Sequence, residues 1–144
     1  MILFIFNNTE KECYSPKIQL SISSFNSFSS YISWTILSEK QIDKRVEKMK
    51  FWIDVAHHSI SLKDPQTTIM VYTSLNINSL HRLAKTISKL PTKYIEKKNK
   101  IQELINTQSS YKNLRIFQKE NKEIARYFGI QLKGLIFTLK FFYF

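Results

Sequence analysis

Glycine and proline are scarce in this sequence, with two and three among 144 residues. So few turn formers cannot punctuate the many short strands of a sandwich or barrel, which leaves long helices joined by short polar turns. Cysteine is scarcer still. The single Cys13 excludes an internal disulfide and every multi-cysteine zinc pattern, and it fits a reduced, intracellular setting. Acidic residues number 11 against 22 Lys and Arg, for a net charge of +11. The basic residues spread over 40–50, 82–100 and 112–133, which favours acidic partners of several kinds without choosing among them. Long hydrophobic runs are missing too. Residues 1–6 (MILFIF) have no basic lead-in, and Lys140 interrupts the C-terminal GLIFTLKFFYF, so both fall well short of the ~20 residues that a spanning helix needs. GxSxG, P-loop, HExxH and kinase motifs are also absent, so the sequence shows no covalent or hydrolytic chemistry.

What is present is apolar bulk in helical register. Hydrophobic residues make up 43% of the chain, with eleven Phe, seven Tyr and two Trp, which is enough for the core of one domain and too much for disorder. Residues 1–20 read as irregular, 21–138 as the domain and 139–144 as an apolar tail. Phe25, Phe28, Ile32, Ile36 and Leu37 follow helical spacing, with Tyr31 and Trp34 adding aromatic bulk. Asp43 opens the next helix, where a carboxylate suits the positive end of the dipole. Behind it, Val46, Met49, Ile53, Ala56 and Ile60 form a sustained buried stripe. His57 and His58 are adjacent and point to different faces, which excludes an i, i+4 metal pair; no metal or cofactor is expected. Asp64 and Pro65 are suited to N-cap and first helical position.

The chain is organised around residues 75–91, LNINSLHRLAKTISKLP. Asn76 is placed to cap a following helix, with Asn78 or Ser79 as alternatives one register later. Leu80, Leu83, Ile87 and Leu90 then share one helical face, and Pro91 stops it. Beyond it, Tyr94, Ile95, Ile101, Leu104 and Ile105 mark another amphipathic helix, with Lys97, Lys98 and Lys100 on its wet side. The expected fold is all-α.

Several of these segments also resemble a known family. LNINSLHRL followed by KTISKLP resembles the signature of Ras-type guanine-nucleotide exchange factor catalytic domains (RasGEF, the son-of-sevenless kind) in Leu75, Asn76, Arg82, Leu83, Lys85, Thr86, Leu90 and Pro91. Ile87 stands where that family usually has Trp. Phe25-Asn26 with Trp34, the stretch Lys44-Arg45-Val46 through His57, and Tyr111 to Arg115 are similar to further family segments, and Tyr127-Phe128-Gly129-Ile130 with Leu132 and Leu135 to another. The spacing from Leu62 to Arg82 needs no gap. The resemblance implies the helical core of a RasGEF catalytic domain. It implies a cytoplasmic regulatory protein that makes no bonds, with a Ras-family small GTPase as partner and the inner membrane surface reached through that GTPase.

Carried over residue by residue, the resemblance assigns GTPase contact to Arg45, Ile69, Asn76, His81, Arg82 and Tyr127, which would grip the second switch, and to Ile136. It covers residues 25–138, so the family's first helices and its C-terminal hairpin, which opens the first switch, are expected to be missing. Asp64-Pro65-Gln66 replaces the usual Asn-Phe-Asn, Gly134 an Asp, and Lys140 an acidic side chain. The missing hairpin implies weak GTPase binding at most and little or no exchange, and the residue departures point the same way. The alternative is a degenerate GTPase-binding or protein-interaction module without exchange. A basic helical nucleic-acid binder rests on the charge alone, with no aromatic-basic interleaving or recognition-helix pattern behind it.

Overall fold

A computed structural model describes residues 16–106, 109–121, 127–131 and 134, and these residues contain helices and no strand. The elements are α1 (Pro16–Leu37), α2 (Ile42–Ser61), α3 (Pro65–Leu75), α4 (Asn78–His81), α5 (Ala84–Ile87), α6 (Thr92–Ile105) and α7 (Lys112–Glu120). A further helical turn covers 128–131.

The all-α expectation holds, and the stripe on α2 is its centre. Val46, Met49, Ile53 and Ala56 are all buried, and Ile60 is half-buried against the same core. Around them α2 packs on α1, α3, α5 and α6. Ile32 and Ile36 enter from α1, Ile69, Val71 and Leu75 from α3, and Ile101 and Ile105 from α6.

Polar fasteners give the directions of the helices. Ser33 on α1 donates to the Ser74 carbonyl near the end of α3 at 3.1 Å, so α1 and α3 run the same way. The hydroxyls of Ser59, late on α2, and Thr68, early on α3, lie 2.6 Å apart in the core. Helix α6 runs alongside α2: the Tyr94 hydroxyl donates to Asp54 at 3.3 Å, and the Lys97 ammonium also donates to Asp54. Lys50 and Lys97 flank the Tyr94 ring at 5.5 and 5.2 Å from its centroid, close enough for cation–π attraction. Lys97 therefore does not lie on a wet face, and Lys98 is partly desolvated, which lowers its pKa. These directions gather the C-terminal ends of α1 and α3, the N-terminal end of α2, and α4 and α5 at one end of the bundle, while α6 starts beside the middle of α2.

The scarcity of glycine shows at the α2–α3 corner. Asp64 N–H donates to the Ser59 carbonyl at 2.8 Å and Lys63 N–H to that of Ile60 at 2.9 Å, the crossed pair that closes a helix C-terminus. That closure needs a left-handed residue, and Lys63 supplies it with φ 57° where glycine would sit without strain. Asp64 then caps α3, its Oδ1 accepting from Thr67 N–H at 3.1 Å, with Pro65 at the first helical position.

Two outcomes are expected in urea unfolding. Lys63→Gly should stabilise the domain by about 0.5–1 kcal/mol, since it removes the left-handed strain while leaving the hydrogen bonds. The Lys97 hydrogen bond holds the Asp54 carboxyl below the usual carboxylate range. The folded state thus gains stability from ionised Asp54 above its unfolded value and loses it as pH falls through the folded one. Asp54→Asn should accordingly be less stable than the parent at neutral pH, and the gap should close below about pH 4.

Candidate functional site

The segment between α3 and α6 departs from the single amphipathic helix expected there. It forms two four-residue helices, α4 and α5, separated at Arg82-Leu83. The apolar register survives, with Leu80 and Leu90 buried and Leu83 and Ile87 packed against the core. The break at Leu83 turns a second face inward, and Thr86 becomes 1% exposed. Asn76 caps differently from the expectation as well. It closes α3 at its C-terminus, with the side-chain amide donating to the Tyr72 carbonyl at 2.8 Å. Neither Asn78 nor Ser79 replaces it at the next helix, because Ile77 is the N-cap of α4 and makes no side-chain cap bond.

Arg45 lies in the first turn of α2, half-buried, and its guanidinium faces the protein. Its Nε and Nη2 donate to the Glu39 carbonyl at 3.1 and 2.7 Å, and Nη1 reaches the Thr86 hydroxyl at 3.4 Å. This fork ties the α1–α2 turn to α2 and reaches toward α5. Lys89, just beyond α5, makes a second link by pairing with Asp43 at 2.7 Å. Arg45, Asn76, His81 and Arg82 thus come together at the end of the bundle built from α4 and α5. His81 and Arg82 are exposed there, whereas Arg45 and Asn76 are partly covered.

Ile69 and Tyr127 do not join them. Ile69 is 2% exposed and belongs to the core. Tyr127 is 4% exposed, its ring 6.3 Å from that of Phe25. Burial pushes its hydroxyl pKa well above the ordinary range, with Tyr111 adding to the shift. Phe25 lies eight residues before Ser33 on α1, which is about 12 Å along the helix axis. Tyr127 therefore sits toward the opposite end from Asn76. Its neighbour Phe128 is half-buried and, with Ser21, Ile22, Phe25, Gln66 and Gly129, lines a shallow cleft between α1 and the start of α3. Ile136 lies outside the described residues, as does Lys140.

Two features of this end were not read from the sequence. Thr86 matched a motif, but nothing in its spacing marks it as the acceptor of Arg45, 41 positions away. The other left a clear signal: no acidic residue occurs from 65 to 95, while His81, Arg82, Lys85, Lys89 and Lys93 all do. Among the described residues, no group of three or more His, Cys, Asp or Glu could hold a metal ion. None of their helices is long and apolar enough to cross a membrane. The arrangement offers hydrogen bonds, charge and shape to a partner surface.

Since the guanidinium of Arg45 serves the fold, Arg45→Ala should cost about 1–3 kcal/mol in chemical unfolding. Arg82→Ala, at an exposed position, should stay within about 0.5 kcal/mol of the parent.

Comparison with known proteins adds the relatives. The family model for the RasGEF domain matches residues 3–141, so the match starts well before Phe25. The chain is 31% identical over 134 residues to Ras guanine nucleotide exchange factor D of Dictyostelium discoideum, covering 92% of this chain and 20% of that protein. It is 28% identical over 132 residues to Ras guanine nucleotide exchange factor R of the same organism, covering 92% and 8%. To human (Homo sapiens) Ras guanyl-releasing protein 3 it is 29% identical over 123 residues, covering 85% and 18%. The chain thus spans a fifth or less of the length of these three relatives.

Proposed function

The chain belongs to the RasGEF domain family, and from that premise we propose that it binds a Ras-family small GTPase, grips the second switch region and promotes release of GDP. Family membership across residues 3–141 is the observation that carries this reading. The exposed pair His81 and Arg82 supplies the direct contacts, and Asn76 borders them. Arg45 holds the α1–α2 turn beside α5 and contributes whatever part of its guanidinium those bonds leave exposed. Ile69 and Tyr127, both buried, act by supporting the helices that carry the surface. Ile136 keeps the apolar role that the resemblance gives it.

No bond is made or broken by the protein in this process. An exchange factor accelerates release by binding the empty GTPase more tightly than the loaded one. By linkage, whatever factor it takes from nucleotide affinity, nucleotide takes from its own affinity. A grip that does not distinguish the two states shifts nothing. Three sequence observations favour a second reading, binding without exchange: Asp64 and Gly134 depart from the residues of the resemblance, and Lys140 stands where it places an acidic side chain.

The test follows fluorescent GDP leaving each member of a panel of loaded Ras, Rap and Ral GTPases. Against the little or no exchange that the missing hairpin implies, this reading requires acceleration for at least one member, with His81→Ala/Arg82→Ala reducing it about tenfold or more while leaving helicity unchanged. Capture of a nucleotide-free GTPase without acceleration would select the second reading. Neither release nor capture across the panel would refute both.

A further inference from the structure

The end of the bundle that carries His81 and Arg82 has cations without matching acids. Arg82, Lys85, Lys89 and Lys93 are all exposed, as are Lys40 and Lys44 on its flank. Of the acidic residues nearby, Asp43 pairs with Lys89 at 2.7 Å, Glu39 with Lys48 at 3.5 Å and Glu47 with Lys50 at 2.8 Å, and Glu96, one turn after Lys93 on α6, is exposed. Among the described residues, Arg82, Lys85 and Lys93 have no acidic partner. Unpaired cations on one small surface repel one another, and a partner of opposite sign relieves that repulsion.

Resting on the reading above, we propose that this surface draws an acidic face of the GTPase, and that long-range attraction to it sets the rate of association. The chemistry favours a folded acidic protein over the other polyanions. Among the described residues, the large exposed apolar ones are Leu20, Phe28, Tyr31, Trp34, Leu37, Phe51, Leu62, Ile95 and Ile116, and none falls between 76 and 93. The segment therefore has no apolar wedge to enter a lipid surface and no Phe, Tyr or Trp ring on which a base could stack. Helices α4 and α5 have four residues each, too short to read a nucleic-acid groove. What it offers is a set of mobile charges around the polar pair His81 and Arg82. Charges of this kind at an interface rim act on encounter more than on the lifetime of the complex.

Stopped-flow association of the full chain with nucleotide-free GTPases of the same panel tests this directly. The association rate constant should fall about tenfold or more between about 25 and 300 mM NaCl. Lys85→Gln/Lys93→Gln should lower it about three- to tenfold at low salt, with dissociation changed less than about twofold. Lys112→Gln/Lys119→Gln removes the same net charge from α7, which packs on α6, and should leave association close to the parent's. The proposal is overturned by association that is flat with salt, by equal effects of the two pairs, or by a loss confined to dissociation. It is also overturned if Lys85→Gln/Lys93→Gln abolishes binding to phosphatidylserine vesicles or to RNA while GTPase association is unchanged. Absence of association with every GTPase would instead remove the reading beneath it, an outcome that the parent chain alone reports.

Discussion

Everything in this bundle is arranged around one helical face, the stripe Val46, Met49, Ile53 and Ala56 of α2. Four other helices pack against α2, and each presents its own apolar residues to it. Ile53 is 1% exposed and Ala56 fully buried. A helix in that position cannot move without opening several contacts at once, because packed interiors resist small displacements. The short helix α5 is held by reference to it. Arg45 and Asp43, on the first turn of α2, reach Thr86 within α5 and Lys89 beyond it. The surface offered to a partner is thus positioned by the most rigid part of the fold.

Small polar residues do the aligning that large apolar ones cannot. The Ser33 bond to the Ser74 carbonyl and the Ser59–Thr68 contact are buried and directional. They tie the register of α3 to its two neighbours, whereas hydrophobic contact alone would tolerate sliding. The same economy shows on α6, where Asp54, Tyr94 and Lys97 satisfy one another along a seam facing α2. In a chain with few turn formers, side-chain hydrogen bonds also take over the corners. Asp64 opens α3, the Asn76 amide closes it, and Lys63 accepts a left-handed conformation between α2 and α3.

The aromatic residues divide in an uneven way. Ile32 and Ile36 of α1 are buried, yet Phe28, which shares their helical spacing, is 46% exposed, and Tyr31 and Trp34 beside it are 52 and 62% exposed. Phe28 meets Trp52 edge-on at 6.4 Å, and Trp52 is anchored by donating its indole N–H to the Thr35 hydroxyl at 2.9 Å. One helix therefore carries apolar side chains on both its inner and its outer face. Periodicity marks the helix without saying which of its two apolar faces is turned inward.

Local sequence was enough for the helices whose signals are local. The stripe of α2 and the Asp64-Pro65 start of α3 depend on neighbours within one or two turns, and each stands where its spacing places it, whereas the helix expected to run up to Pro91 ends at Ile87 and Pro91 caps α6 instead. The motifs also carried the family. The sequence could not reveal contacts between residues far apart in the chain, because propensity and periodicity contain no such term. The break at Leu83, the inward guanidinium of Arg45 and the pairing of Lys97 with Asp54 are all of that kind. The division among candidate contacts is too: His81 and Arg82 face solvent, while Ile69 and Tyr127 lie in the core. Sequence alone determined the all-α class, the stripe of α2 and the family; tertiary packing decided the break at Leu83 and which side chains remain for a partner, since burial is a property of how helices meet rather than of any one helix.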